Sequence, residues 1–408
     1  MVKKILYMTL IAAMASCGTT RNKMGTSTAD IATDGATTVT TEKKMEADGA
    51  FWGRLLSEAC REMDKENICI SPLSAQFAMA MVANGAEGKT KTEILDVMQL
   101  GDSANINSRR LLDDIAEKTV WNEHGDVRIA NSIWIKDGFD VKQKFVDTNK
   151  ECFDALVENA EFNQETVKRV NDWCKENTNG KIESILDRFT DSDRMLLINT
   201  LYFKAAWSKP FQEENTTEKT FTTEKGEEIE VPTMMIRNNE SYYSDNMVSM
   251  VSKRLQGGYT MLFILPAEGV KCDEAAEYVA KDFDTFLQKM EVRNVLLSLP
   301  KFTTDFGMSL KPILANLGIK SAFGSKAQFG GISDEALFIS DVVQKTYINV
   351  NEKGTEAAAV TMAIAGALSM RPPKTEIITF DRPFIYAIIK DNGSHIMFAG
   401  KVGNPAIK

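Results

Sequence analysis

Residues 354–373 read GTEAAAVTMAIAGALSMRPP. From Ala357 to Met370 no residue carries a charge, and most are small. Such a strip belongs in an interior, yet it runs into Arg371-Pro372-Pro373, which reads as an exposed turn. Taken locally, Thr355 and the alanines after Glu356 predict a helix start, with Thr as N-cap and Ala as the best helix former. Laid out with period two, Thr355, Ala357, Ala359, Thr361, Ala363 and Ala365 fall on one face, all small and uncharged. The other face carries Glu356, Ala358, Val360, Met362, Ile364 and Gly366. A strand with one uniformly small face fits a narrow gap inside an existing sheet, and after Glu356 no charge opposes its burial. The helix reading gives no reason for a small residue at every second position.

Outward from this stretch, the chain from Ala50 onward mixes helix and strand signals without a βαβ rhythm or a repeat. Phe51 to Met63 has helical apolar spacing, and Thr166 to Leu186 is a second helix candidate with a stop signal, Asn179-Gly180, near its middle. Strands are predicted at Met195–Phe203, Tyr259–Leu265, Val295–Leu299, Leu337–Val343, Tyr347–Val350 and Phe384–Ile389, several of them continuously apolar, as buried central strands are. The expected body is therefore mixed α and β with large sheets and no internal linker.

The N terminus differs in character. Met1-Val2-Lys3-Lys4 is a basic start, and the apolar run Ile5–Ala15 is too short to span a bilayer but suits a signal peptide. Met14-Ala15-Ser16-Cys17 resembles a bacterial lipobox, with Met where Leu is usual. The expectation is a signal peptide over 1–16, a lipidated Cys17 with a flexible Thr-, Ser-, Ala- and Gly-rich tether over 17–46, and a folded domain over 47–408. That implies export across an inner membrane and anchorage to an outer membrane, on its periplasmic or surface side, through the lipid only. The remaining cysteines, Cys60, Cys69, Cys152, Cys174 and Cys272, are scattered and lack a CxxC, so neither zinc nor a disulfide framework is expected.

Of 408 residues 26 % are charged and the net charge is −9, which argues against nucleic acid as a partner. Lys89-Thr90-Lys91, followed by Glu93 and Asp96, makes no heparin-type basic face. His124 and His395 are the two histidines, both expected in exposed turns, and neither accompanies a nucleophile motif. Phosphate-binding glycine motifs are absent, and no carboxylate pair stands out. Nothing here calls for an enzyme, a metal or a cofactor.

Asn351-Glu352-Lys353-Gly354-Thr355-Glu356-Ala357-Ala358-Ala359 closely resembles the hinge of inhibitory serpins. The resemblance runs from about Ala50 to the end, through NICISPLS at 67–74, NGAEGKT at 84–90, NDW at 171–173, NTNGKI at 177–182, NTLYFKAAW at 199–207, SDVV at 340–343, DRPF at 381–384 and FAGKV at 398–402. It implies an α+β serpin fold, with three β-sheets, about nine helices and an exposed reactive-centre loop.

In that family the loop waits outside a central sheet and enters it as an extra strand after cleavage, the behaviour cited for strand addition and stored strain. A monomeric inhibitor of chymotrypsin-, elastase- or subtilisin-like serine proteases, trapping them covalently, is then implied. The hinge would be Glu352, Gly354, Thr355, Glu356, Ala357, Ala358 and Ala359. Counting on from Gly354 as the family does puts the reactive bond at Leu368-Ser369, with Ala367 and Met370 as alternatives. Thr355–Leu368 would span roughly 46 Å as a strand at about 3.3 Å per residue. Ser71, Ser74, Asn199, Trp207 and Gln344 would form the shutter and breach that the loop passes. Gln344 stands where the family usually has His, which removes titration near neutrality but allows a network with Ser71, Ser74 and Asn199. The rival implication is a non-inhibitory serpin-fold binding or chaperone-like protein; bulky hinge residues would favour it, and beyond Glu356 the hinge is uniformly small.

Overall fold

The computed structural model describes residues 50–101, 104–121, 125–355, 374–390 and 395–407. The leader, Cys17 and the tether lie outside them, as do Glu356 to Pro373 with the reactive bond Leu368-Ser369. In chain order the first half holds α1 (Phe51–Glu62), β1 (Asn67–Ile70), α2 (Pro72–Ala83), α3 (Gly88–Met98), α4 (Ala104–Trp121), β2 (Gly125–Lys136), α5 (Gln143–Phe153), β3 (Leu156–Ala160), α6 (Gln164–Asn177) and β4 (Met195–Ala206). Next come β5 (Thr217–Thr222), β6 (Glu228–Ser244), β7 (Val248–Arg254), β8 (Tyr259–Pro266), α7 (Cys272–Lys281), α8 (Phe283–Lys289), β9 (Glu291–Pro300), β10 (Phe302–Ser309) and α9 (Lys311–Leu317). The chain closes with β11 (Ile339–Asn351), β12 (Gly354–Thr355), β13 (Thr375–Thr379), β14 (Phe384–Lys390) and β15 (Ile396–Val402).

Among the described residues there are two hydrogen-bonded sheets where three are expected. One runs β10-β11-β12-β4-β2-β3. The other joins β1-β15-β14-β8-β7-β6-β9-β13, with β5 also on β6. The merger has a simple cause: β6 is continuous from Glu228 to Ser244, pairing β5 and β9 along most of its length and β7 over its last four residues. Nine α-helices are present among the described residues, as expected.

Helix α2 lies in the core. Its residues are buried all round, which suits its uniformly apolar sequence. Ser71 caps it by accepting a hydrogen bond from the Ser74 N–H, and Pro72 occupies the first turn, where a missing N–H costs nothing. The six-stranded sheet sits over it. Inward-facing Leu197, Leu201, Phe203 and Ala205 of β4 belong to the main core. Outward-facing Leu196 and Ile198 join Trp134, Val170, Cys174 and Ile182 in a second, smaller core under α6. Both faces of β4 are therefore covered, which explains why every residue of it but Lys204 is buried.

Helix α6 begins at an Asn163 cap and ends at Asn177, short of the Leu186 that the sequence allows. Asn179 and Gly180 both take positive φ, 52° and 77°, and break the helix as the stop signal suggests. The chain from 178 to 190 then crosses the outer face of the sheet as an irregular strap. Asn171 holds it by accepting from the N–H groups of Ile185 and Leu186 and donating to the Leu186 carbonyl. The two predicted strands Leu337–Val343 and Tyr347–Val350 are one, β11, alternating buried and half-buried residues throughout.

Candidate functional site

The site is the seam between β4 and β11. From Tyr202 opposite Tyr347 down to Leu196 opposite Asp341, these strands pair directly and in parallel. Above Tyr202 they part. Into the opening come Gly354 and Thr355, which as β12 pair antiparallel with both sides: Thr355 opposite Ala205 and Val350, Gly354 opposite Ala206 and Asn351. The hinge is thus seated at the top of the sheet while the seam beneath is closed. The expectation of a loop held wholly outside the sheet is corrected for these two residues, because each fits its place.

Thr355 is 0 % exposed, and its hydroxyl both accepts from the Ala205 N–H (3.0 Å) and donates to the Ala205 carbonyl (3.1 Å). Gly354 has φ +151°, and an added Cβ would stand 2.3 Å from the Ala205 carbonyl oxygen and 2.7 Å from the Ala206 Cα. Backbone conformation and backbone contact both require glycine there.

The segment leading into the hinge is held from three sides. The Trp207 indole donates to the Asn351 carbonyl (2.9 Å), the Trp207 N–H to the Lys353 carbonyl (2.9 Å), and the Phe211 N–H to the Glu352 carbonyl (2.9 Å). The Glu352 carboxylate receives the Thr216 hydroxyl (2.9 Å) and pairs with Lys301 (3.1 Å). Burial acts to raise its pKa, but its own backbone N–H, Lys301 and Thr216 outweigh burial and hold it below the ordinary value. Behind Trp207 lies Lys253, 1 % exposed, its ammonium 5.6 Å from the Trp207 ring centre, 4.8 Å from that of Phe211 and 3.5 Å from Glu240. Burial pushes Lys253 down to about 8 against the pull of Glu240. Sequence reading missed Lys253, Thr216 and Lys301, since nothing in their neighbourhoods points at residues about 50 to 140 positions away.

Lower on the seam, the Gln344 side chain clamps Ser71 through both polar groups of its backbone: the Ser71 N–H donates to Oε1 (2.8 Å) and Nε2 donates to the Ser71 carbonyl (2.9 Å). Ser74 joins through its N–H to the Ser71 hydroxyl at 3.1 Å. Asn199 does not join; it donates to Asn131 Oδ1 (2.6 Å), and Asn199 Oδ1 and Ser74 Oγ are buried without a partner. The expected network therefore forms in part, because Gln344 is spent on the backbone of Ser71. His395 is half-buried rather than exposed: burial and the charge of Lys390 push it down to about 4. His124 lies outside the described residues.

With this geometry in view, the sequence matches the family described as Serpin (serine protease inhibitor) over residues 46–405. The chain belongs to the serpin family. It is 34 % identical to Iripin-3 of Ixodes ricinus over 83 % of this chain and 89 % of that one. Its fold is similar to that of the thermophilic serpin tengpin in the native state, with a TM-score of 0.81 and 30 % identity, covering 89 % of this chain and 94 % of tengpin. Human thyroxine-binding globulin, solved in complex with thyroxine, is similar at a TM-score of 0.79 and 26 % identity over 88 % of this chain and 98 % of that one. The serpin fold and the family's general character, protease inhibition rather than enzymatic turnover, follow from these likenesses.

Proposed function

We propose that this serpin is an irreversible suicide-substrate inhibitor of serine endopeptidases. The observation that carries the reading is the seating of Gly354 and Thr355 in the parted top of the seam. Continuing that register downward places Ala357 opposite Phe203 and Ile348, Thr361 opposite Asn199 and Gln344, and Ile364 opposite Leu196 and Asp341. The small face then points inward, where the main core lies, and Thr361 arrives beside the unpartnered Asn199 Oδ1. The larger face, with Val360, Met362 and Ile364, points outward toward the second core. A bulky inward face would not fit a packed interior.

In the mechanism, the serine hydroxyl of the docked protease attacks the Leu368 carbonyl. The Ser369 nitrogen leaves with a proton as a new amine, and Leu368 remains esterified to the enzyme. Downward entry of 356 onward then breaks one ladder, β4–β11, and makes two, so the inserted state holds more hydrogen bonds and more apolar burial. If entry outruns water, the tethered protease is carried along the sheet and distorted. Leucine at the reactive bond selects chymotrypsin-, elastase- or subtilisin-like targets. The binding-protein reading, which the likeness to thyroxine-binding globulin keeps open, is disfavoured by the uniformly small inward face.

The test is to mix the folded domain with chymotrypsin and with pancreatic elastase and run denaturing gels. A detergent-stable complex and a released peptide beginning at Ser369 are expected. Clean cleavage with no complex, for these enzymes and subtilisin alike, would overturn the reading.

The N-terminal features support a further part of the proposal: cleavage after Ser16, lipidation of Cys17 and display of a monomeric domain at a bacterial outer membrane by the 17–46 tether. Metabolic labelling with a fatty acid checks it. Wild-type chain should take the label and C17S should not.

A further inference from the structure

We propose that Cys60 of α1 and Cys272 of α7 are a disulfide pair, closed when the chain folds in the presence of a small-molecule disulfide. This departs from the sequence expectation of unpaired thiols, and it rests on how the two helices meet.

Helices α1 and α7 run side by side in opposite directions. At one end of the seam Gly53 faces Ala276 and Ala280 so closely that an added Cβ would fall 2.2 Å from the Ala280 Cβ. One turn along α1, the Ser57 hydroxyl donates to Glu277 at 2.7 Å. At the far end Arg61 reaches Glu277 (2.8 Å) and Asp273 (3.6 Å). On α1 positions 53, 57 and 60 share one face, and on α7 so do 280, 276 and 272. The next step of this seam therefore sets Cys60 against Cys272. Consistent with that placement, Cys60 follows burial among the causes that raise the Cys272 pKa, and Lys401, Glu224 and Asp273 act on both thiols. All five described cysteines, Cys60 and Cys272 included, are free thiols in this structure; Cys69 in β1, Cys152 in α5 and Cys174 in α6 lie on other elements.

Burial pushes Cys60 up to about 12 and Cys272 higher still, so in the docked helices almost no thiolate is available to attack a disulfide. The exchange belongs to the stage before α1 and α7 are sealed together. One thiolate displaces half of the oxidant as its thiolate, giving a mixed disulfide; the second attacks the protein sulfur of that bond and displaces the other half. The protein loses two electrons and two protons, and the oxidant disulfide becomes two thiols. Once closed, the bond ties the first helix of the domain to a helix more than 200 residues later, a loop long enough for large stabilisation.

The experiment refolds the chain from denaturant with oxidised and reduced glutathione, alkylates remaining thiols, and digests with trypsin without reduction. The expected species joins Leu55–Arg61 to Cys272–Lys281 at two hydrogens below the summed mass, while Cys69, Cys152 and Cys174 are alkylated. Oxidised protein should melt about 5 °C above the same sample after reduction. Cys60→Ser should abolish both the linked peptide and the shift, with Cys272→Ala as a second variant should the first fold poorly. Alkylation of both Cys60 and Cys272 in the oxidised sample, or linkage of either to another cysteine, overturns the proposal.

Discussion

The two ends of the β4–β11 seam are built differently. At the upper end a third strand has already entered: Thr355 is bonded to Ala205 on one side and pairs with Val350 on the other, and Glu352, Trp207 and Phe211 hold the approach. At the lower end the two strands are zipped directly, and the strap 178–190 with its small core lies across them, Leu196 and Ile198 of β4 under the same cover as Val343 of β11. Starting an insertion into an intact sheet would require breaking pairs before making any. In the proposed insertion that first step is already made by Gly354 and Thr355, and what would remain is unzipping from Tyr202 downward. On that proposal the barrier to further entry would lie in the lower end, and the register in the upper.

The largest expected effect breaks the upper end. Thr355→Arg would bury an unpaired guanidinium where a hydroxyl is fully satisfied, so β12 should leave the sheet. Gel-stable complex with chymotrypsin is expected to fall at least about 100-fold while cleavage of the loop persists, since 4 kcal/mol or more of burial cost is at stake, about a thousandfold. Undiminished complex formation would separate inhibition from hinge seating altogether. Next comes the clamp below. Gln344→Ala leaves the Ser71 N–H unpaired in the core while its carbonyl keeps the Ala75 N–H (3.1 Å), at a cost of roughly 1–3 kcal/mol. Thermal unfolding should fall by several degrees, and Gln344→His, which can satisfy one of the two groups at a time, should fall between.

How much of this was legible beforehand can be judged on the same seam. The strands themselves were, because β14 is almost wholly apolar and β4 carries apolar runs on either side of Asn199-Thr200; of the two-residue pattern from Gly354 only Gly354 and Thr355 lie within the described residues, and they form a strand. The helix stop at Asn179-Gly180 was legible through its residue types. What the residues did not reveal was contact over distance: that Gln344 would take the backbone of Ser71 and leave Asn199 to Asn131, or that Lys253 would sit behind Trp207. Nor does a polar sequence such as 183–190 announce that it will lie over a sheet; Asn171 and Lys345 fix it there from 15 residues before and far after. His395 was misjudged because its turn-like neighbours say nothing of its burial or of the Lys390 charge that acts on it. The merging of two sheets turns on the length of β6, where alternation is weak.

Acid should act on the two ends in opposite directions. Glu352, whose pKa is held down in the fold, stabilises the hinge approach above the ordinary glutamate value, and that contribution disappears as pH falls through its lowered one. Asp341 at the lower end is the reverse case. Burial raises its pKa against hydrogen bonds from Ser309 and the Val342 N–H, so the folded protein takes up a proton first and the lower end gains stability as pH drops toward the ordinary aspartate value. Between the ordinary values of 4.5 for glutamate and 3.8 for aspartate, protection against hydrogen exchange, corrected for its intrinsic pH dependence, should therefore fall at Trp207 and Phe211 and rise at Val342 and Val343. Asp341→Asn should remove the second response and raise stability at neutral pH. Parallel changes at both ends would mean that the seam opens as one unit.

The smallest effect expected comes from loosening the lower end without touching the core. Lys345 on the outer face of β11 donates to the Ser184 carbonyl of the strap at 3.0 Å, with Asp305 3.8 Å away. This hydrogen bond ties β11 to the strap, so an entering strand, which would place Val360 between Lys345 and Thr200, must stretch or break it. A single half-exposed hydrogen bond contributes about 0.5–1 kcal/mol. Lys345→Ala should therefore lower the melting temperature of the native form by only a degree or two. If the lower end sets the barrier, the same 0.5–1 kcal/mol appears in the rate of entry, a factor of about 2–5. That rate can be read by stopped flow from the fluorescence of a label on the loop after protease mixing. A faster entry with a small loss of stability would locate the barrier under the strap. An unchanged rate with the same loss would place it instead at the first pair to unzip, Tyr202 and Tyr347, just below the seated hinge.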